Sequence, residues 1–231
     1  MGHRLLLWDI DGTLVHSGGL GPVAFDRAIQ GVFGRVPEAQ VRMSGKTDPQ
    51  IVREYMELME VEDLDSLPDV LKALELELLA VEEELAAKGR AYEGAAALLA
   101  RLHEDPRVAQ SVLTGNIAPN AVIKLAAFGL DRLLDLEAGA YGSDRADRRE
   151  LVPIALSRQR ELRGVAFEPA ETWVIGDTPN DLDCARAAGA RCLLVATGRF
   201  TLDELAPLGA ESVVPDLTDA DHIVELLTAG L

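Results

Sequence analysis

Four short segments of the 231-residue chain hold the side chains best suited to chemistry. The first is Asp9-Ile10-Asp11-Gly12-Thr13, two carboxylates two residues apart, directly after the apolar run of residues 5–8. Carboxylates at the mouth of a buried strand are costly unless a cation or a proton neutralises them. The plain alternative is that Asp11-Gly12 is only a turn. The second is Thr114-Gly115-Asn116, a hydroxyl and backbone N–H groups placed just before a helix, where oxyanions are readily held. Its plain reading is an ordinary helix start. The third is Gly176-Asp177-Thr178-Pro179-Asn180-Asp181, two further acids around a helix start with Pro at the first helical position. The fourth is Asp147-Arg148-Arg149-Glu150, an arginine pair ahead of a predicted helix.

Singly, each segment has a structural explanation. Together, Asp9, Asp11, Asp177 and Asp181 would crowd one edge of a sheet. Four carboxylates there call for a hard cation with oxygen ligands, and Mg²⁺ suits a half-hydrated site shared with a phosphate. A carboxylate can attack phosphorus and carry the phosphoryl group covalently. The phosphoryl oxygens then need a metal, a hydroxyl, backbone N–H groups and a cationic side chain. Residues able to hold the metal and to supply each of the others are present.

The elements that must position these residues follow from the hydrophobic pattern. Strand-like runs at 4–9, 109–113, 136–138, 172–175, 191–195 and 212–214 alternate with helical patterns at 95–103, 120–128, 151–162, 180–188 and 220–227. Gly129, Gly164 and Gly189 stand where helix stops are expected. This alternation predicts an α/β fold, a doubly wound, mostly parallel Rossmann-like sheet. Three of the four segments fall at C-terminal strand ends, where such sheets bind ligands. Residues 22–88 break the pattern: they show helical periodicity and no strand. Residues 70–87 form one amphipathic stretch, its glutamates a solvated face. The chain therefore divides into a core, residues 1–15 and 89–231, and an inserted all-helical cap, residues 16–88.

Composition narrows the class. Hydrophobic residues make up 48% and aromatics 4%, so the core is built from aliphatic side chains. A formal charge of −17 disfavours nucleic acid and anionic membranes as partners. No run approaches the ~20 apolar residues of a membrane helix. The run at 5–8 is too short for a signal peptide. Cys184 and Cys192 lie among apolar residues and read as buried free thiols, which predicts a cytoplasmic protein.

The ordered set of segments resembles the haloacid dehalogenase superfamily, whose motifs run DxDGT, a strand ending in Thr or Ser, a Lys or Arg, and GDxxxD. The resemblance spans nearly the whole chain. The helical insertion is similar to that family's C1 cap, and Gly45-Lys46-Thr47-Asp48 resembles the phosphoglycolate-phosphatase branch. The resemblance implies a Mg²⁺-dependent phosphatase acting on a small phosphorylated metabolite. It makes Asp9 the nucleophile and a metal ligand. Asp11 becomes general acid and then base, with its backbone carbonyl on the metal. Thr114 and the Gly115–Asn116 region hold phosphoryl oxygens, and Asp177 and Asp181 serve the metal. Lys46 and Thr47 are candidate substrate contacts from the cap, or simply a capped helix start.

One departure stands out. Most members carry Lys at the third motif, but this chain has no Lys after Lys124. Arg must serve, and Arg148 is favoured over Arg149 by the position of the helix that follows. A β-phosphoglucomutase-like enzyme would carry His where Gly21 stands and Lys where Ser44 stands. A dehalogenase would lack Asp11. A phospho-acceptor signalling module would be shorter and would phosphorylate an Asp on a mid-chain strand, and an inactive binding protein would lack a catalytic position.

Overall fold

The computed structural model describes residues 3–231. Among these residues the strands are β1 (Arg4–Trp8), β2 (Val15–His16), β3 (Arg90–Ala91), β4 (Val108–Thr114), β5 (Asp135–Tyr141), β6 (Thr172–Gly176), β7 (Arg191–Val195) and β8 (Ser212–Val214). The helices are α1 (Leu20–Phe33), α2 (Asp48–Leu58), α3 (Leu67–Ala80), α4 (Glu82–Lys88), α5 (Ala95–His103), α6 (Ala118–Ala126), α7 (Leu151–Arg163), α8 (Pro179–Ala188), α9 (Leu202–Leu205) and α10 (Ala220–Thr228).

The unbroken apolar run of β1 is explained by its place. It lies at the centre of a six-stranded sheet ordered β5-β4-β1-β6-β7-β8, in which every pairing is parallel. Alternate side chains feed opposite faces. Leu5 and Leu7 pack with Leu113, Val152, Val174 and Leu182 on one face. Leu6 and Trp8 pack with Leu98, Val112, Leu125 and Ile175 on the other. A strand with both faces covered cannot alternate polar and apolar residues, so it reads as continuous. Truncating one of these leucines to Ala removes ~2–5 kcal/mol, as for other full-burial core sites.

The strand order places the site. From β1 the chain crosses to β4 and β5 on one side, then returns to β6, β7 and β8 on the other. The direction reverses at β1, and an open α/β sheet has its crevice at that point, outside the carboxyl ends of the strands. The residues that end β1, β4 and β6 therefore converge: Asp9, Thr114 and Asp177.

Helices α1, α2 and α3 build a separate apolar cluster from Ala24, Phe25, Ile29, Val52, Met56, Val70 and Leu74. Phe25 stacks on Tyr55 with ring centroids 6.2 Å apart. The short antiparallel ribbon β2–β3 joins this layer to the sheet through the pairs Val15↔Ala91 and His16↔Arg90.

Two expectations change here. The amphipathic stretch of residues 70–87 is not one helix: it breaks between α3 and α4 at Val81 (φ −109°, ψ 16°). The break turns Val81 and Leu85 into a small cluster with Leu20 and Leu78, packed against Ile123 and Phe128 near the end of α6. The β2–β3 ribbon was not expected; two-residue strands are too short to show a period. Gly164 and Gly189 do end α7 and α8 in the left-handed conformation, at φ 69° and 72°.

Candidate active site

Asp9 leaves the end of β1 with its backbone N–H on the Ile175 carbonyl at 2.8 Å, so its register is fixed by the sheet. Asp177 leaves the end of β6, and Asp181 lies one turn into α8. One oxygen from each of Asp9, Asp177 and Asp181 lies within 4.8 Å of the others, and all three residues are buried. The Asp181 geometry comes from a capping box. Its Oδ2 accepts from the Thr178 N–H at 3.0 Å and from the Thr178 hydroxyl at 2.7 Å. The N-cap reading of this segment and its role in an acidic cluster thus describe the same atoms.

Gly12 and Gly198 pack directly against Asp177. Gly12 has φ +88°, and a Cβ there would sit 2.5 Å from Asp177 Oδ2; a Cβ at Gly198 would overlap the same carboxylate. The close approach of both loops is what confines Asp177.

Arg148 is the counter-charge. Its Nη2 lies 3.1 Å from Asp9 Oδ1 and 2.5 Å from Asp181 Oδ1, with the side chain 6% exposed. Arg149 points the other way, pairs with Asp147 at 2.6 Å and is 65% exposed. The pair is split by the short turn at Arg148–Glu150, which directs neighbouring side chains to opposite sides.

Three buried carboxylates thus share one guanidinium. Burial pushes the Asp9 carboxyl above its ordinary range, against the pull of Arg148. Asp177 is pushed up to about 8, by burial first and then by Asp181 and Asp9. Oxygen-only donors, close spacing and uncompensated negative charge fit a small divalent cation. Asp181 already gives both oxygens to Thr178 and Arg148, which makes it a support for such a cation more than a ligand.

The Asp11 carboxylate stands apart from this trio. Asp11 Oδ2 accepts from Lys124 Nζ at 2.6 Å and from Asn116 Nδ2 at 2.7 Å. Its carboxylate oxygens are not among those that meet in the trio, so any contribution of Asp11 to a cation there falls to its backbone carbonyl, as the resemblance implies. Asn116 also donates to Thr114 Oγ1, through Nδ2 at 2.8 Å and through its N–H at 3.3 Å. The Thr114 hydroxyl accepts twice, which leaves its own hydrogen to donate towards the cavity. Asn116, expected to hold phosphoryl oxygens, has its amide engaged within the protein and orients Thr114 and Asp11.

Asp9, Asp11, Thr114, Gly115, Asn116, Arg148 and Asp177 all line one cavity of about 580 Å³, roofed by the helical layer through Phe25, Met43, Gly45 and Ile51. Lys46 lines it too, with Nζ 2.5 Å from Glu54 Oε2. Thr47 does not. It is fully buried, caps α2 by accepting from the Gln50 N–H at 3.3 Å, and donates to the Ala146 carbonyl at 2.7 Å. Its expected substrate contact gives way to the capped helix start, and the hydroxyl is consumed there.

Two buried charged residues of the cavity were missed by sequence reasoning. Lys124 projects from the buried face of α6 shared with Ala121 and Leu125. A Lys at helical spacing among apolar residues was the available signal. Asp48 is buried, accepts from the Ile117 N–H at 2.8 Å and gives its own N–H to the Gly115 carbonyl at 2.7 Å. The helical layer thereby grips the loop that carries Thr114. Both thiols are free and buried, and Cys184 Sγ meets the Arg148 carbonyl at 3.0 Å.

A core of parallel strands with this acidic centre defines a class, and comparison with known proteins bears it out. The family model for haloacid dehalogenase-like hydrolases matches residues 6–186, and the chain belongs to that family. Within it the chain falls in the phosphoglycolate-phosphatase-like branch. It is 28% identical over 218 residues to a phosphoglycolate phosphatase of Rhodospirillum rubrum, covering 92% of this chain and 87% of that protein. A shorter match, 37% over 81 residues, spans 35% of this chain and 35% of the phosphoglycolate phosphatase of Thiobacillus denitrificans. The structure of CbbY from Rhodobacter sphaeroides in complex with phosphate shares the fold, with a TM-score of 0.73 at 20% identity over 94% of this chain and 96% of that one. Among the described residues no helix is long and apolar enough to cross a membrane.

Proposed function

We propose that this protein is a phosphatase that takes the phosphoryl group of a small phosphorylated metabolite onto Asp9. The observation that carries this reading is the pairing of Asp9 with Arg148 beside Asp177, in a cavity lined also by Phe25 and Ile51 of the helical layer. Residues 16–88 serve as the cap and residues 1–15 and 89–231 as the catalytic core. Asp9, Asp177 and the Asp11 carbonyl would hold Mg²⁺, with Asp181 in support. When bound, the ion would neutralise the carboxylates and draw charge from the phosphoryl oxygens.

The chain's own residues do the rest. Asp9 attacks phosphorus and forms an acyl phosphate while the alkoxide departs. Asp11 gives that alkoxide a proton, and afterwards takes one from the water that attacks the acyl phosphate. Arg148 spreads its donors over Asp9 and the phosphoryl oxygens. The Thr114 hydroxyl and the Gly115 backbone donate to the oxygens opposite. The roof excludes bulk water, which strengthens each of these contacts. Lys46 is the cap cation facing the cavity and the candidate for reading the rest of the substrate. Phosphoglycolate, on which the relatives are named as acting, is the first substrate to test.

The experiment is turnover of an aryl phosphate and of a phosphometabolite panel with and without Mg²⁺. Turnover that persists in excess chelator rejects the proposed site.

A further inference from the structure

We infer that Lys124 is a positioning residue for Asp11, holding the proton-transfer carboxylate in place through a closed network with Asn116. The inference rests on the phosphatase reading above and adds to it a cation outside the acidic cluster. Lys124 sits on α6 and its side chain is 8% exposed, while that of Asp11 is 40% exposed. Burying an ammonium costs several kcal/mol unless it is well paired. Pairing with a half-exposed carboxylate returns little of that. On a helix face shared with Ala121 and Leu125, an apolar side chain would pack more favourably. The ammonium also lies within electrostatic reach of the buried Asp48, a second carboxylate lining the cavity, so its charge serves the acids around the site and not an apolar core.

The geometry says what the charge does there. Lys124 Nζ donates to Asp11 Oδ2 at 2.6 Å and to Asn116 Oδ1 at 2.7 Å. A lysine can only donate, so it fixes which end of the Asn116 amide faces it. The amide nitrogen is thereby turned onto Asp11 Oδ2 at 2.7 Å and Thr114 Oγ1 at 2.8 Å. Lys124 and Asn116 thus both donate to the same oxygen of Asp11, Oδ2. Oδ1 takes none among the described residues and stays with the cavity that Asp11 lines. One buried ammonium thus sets the rotamer of the proton-transfer carboxylate and the sense of the hydroxyl beside the phosphoryl site.

The test is leaving-group dependence. Lys124→Met, alone and with Asp11→Asn, is assayed on an aryl phosphate with a good leaving group and on an alkyl phosphate that needs protonation. Proton transfer supplies typically ~10²–10⁴-fold, so the single variant is expected to lose on the order of 10²-fold in kcat on the alkyl ester and much less on the aryl one. KM and the Mg²⁺ requirement should hold. In the Asp11→Asn background the added change should not steepen the dependence further, and Lys124→Arg should restore part of the alkyl activity. Should Lys124→Met fail to fold, Lys124→Gln carries the same comparison. Equal losses on the two esters, or losses that multiply in the double variant, would overturn the inference. If the wild-type protein hydrolyses neither ester, or Asp9→Asn still turns over, the phosphatase reading falls and this inference with it.

Discussion

The Arg148 guanidinium meets Asp9 and Asp181 with a single nitrogen, Nη2, 3.1 Å from the first and 2.5 Å from the second. It is the only cation in direct contact with the acidic trio among the described residues, and its Nε is buried without a partner. The arginine that we propose as the family's third motif is locked between Asp9 and Asp181 of α8.

Arg148→Ala is accordingly expected to slow turnover by at least about ten-fold for each charge-assisted bond lost, since such bonds contribute roughly 1.5–3 kcal/mol. It should also destabilise the fold by ~3–5 kcal/mol in the absence of divalent ion, because the carboxylates stay buried without their partner. Arg149→Ala should leave both properties near wild type, and Arg148→Lys should recover part of the activity. Steady-state kinetics and thermal melts on the three proteins check this.

Stability of the metal-free protein should fall as pH rises. Burial pushes the Asp177 carboxyl up to about 8 and raises Asp9 likewise, so the folded state binds more protons than the unfolded one through this range. With that sign, stability declines from the unfolded carboxylate range of about 4 upward to about 8. A divalent ion favours the ionised form, so the gain in Tm on adding Mg²⁺ should grow from pH 5 towards pH 8. Melting curves with and without Mg²⁺ across that range give the answer; a gain that shrinks with pH would place the ion elsewhere.

Much of this was legible beforehand because the chemistry and the fold write to sequence in different ways. The central strands β1, β4 and β6 appear where an apolar run ends in a polar residue, since strands buried on both faces leave no other pattern, whereas β5 carries Asp135 and Glu137 in its first half and shows in the sequence only over 136–138. The acids at positions 9, 11, 177 and 181 follow from spacing at strand ends. Residues whose role depends on which way a helix faces were not legible. Lys124 and Asp48 are buried charges whose carboxylate and amide partners, Asp11 and Ile117, lie far away in sequence; the apolar spacing around Lys124 marks it as buried but not what it meets. Thr47, read as a substrate contact or a capped helix start, and Asn116, read as a phosphate contact, both brace the protein in this structure, because a polar side chain beside a site can face a ligand or its own chain and sequence does not say which. Val81 breaks a helix with no Gly or Pro to announce it.

The two cap candidates should separate. Lys46→Ala is expected to shift preference across a phosphometabolite panel while sparing a small aryl ester, because Lys46 lines the cavity. Thr47→Val should cost ~1 kcal/mol of stability through the lost helix cap and reduce all substrates alike. A panel assay with matched melting data distinguishes the two patterns.

The central claim is a covalent phosphoryl group on Asp9, and trapping tests it most directly. The enzyme is mixed with substrate and Mg²⁺, quenched in acid and reduced with borohydride, which converts an aspartyl phosphate to homoserine. Peptide mass spectrometry then locates the change. Homoserine at position 9, dependent on substrate and Mg²⁺ and lost in Asp9→Asn, is the expected result. Turnover with no modified residue under conditions that trap a control acyl phosphate, or modification at Asp11 or Asp177 instead, would contradict it.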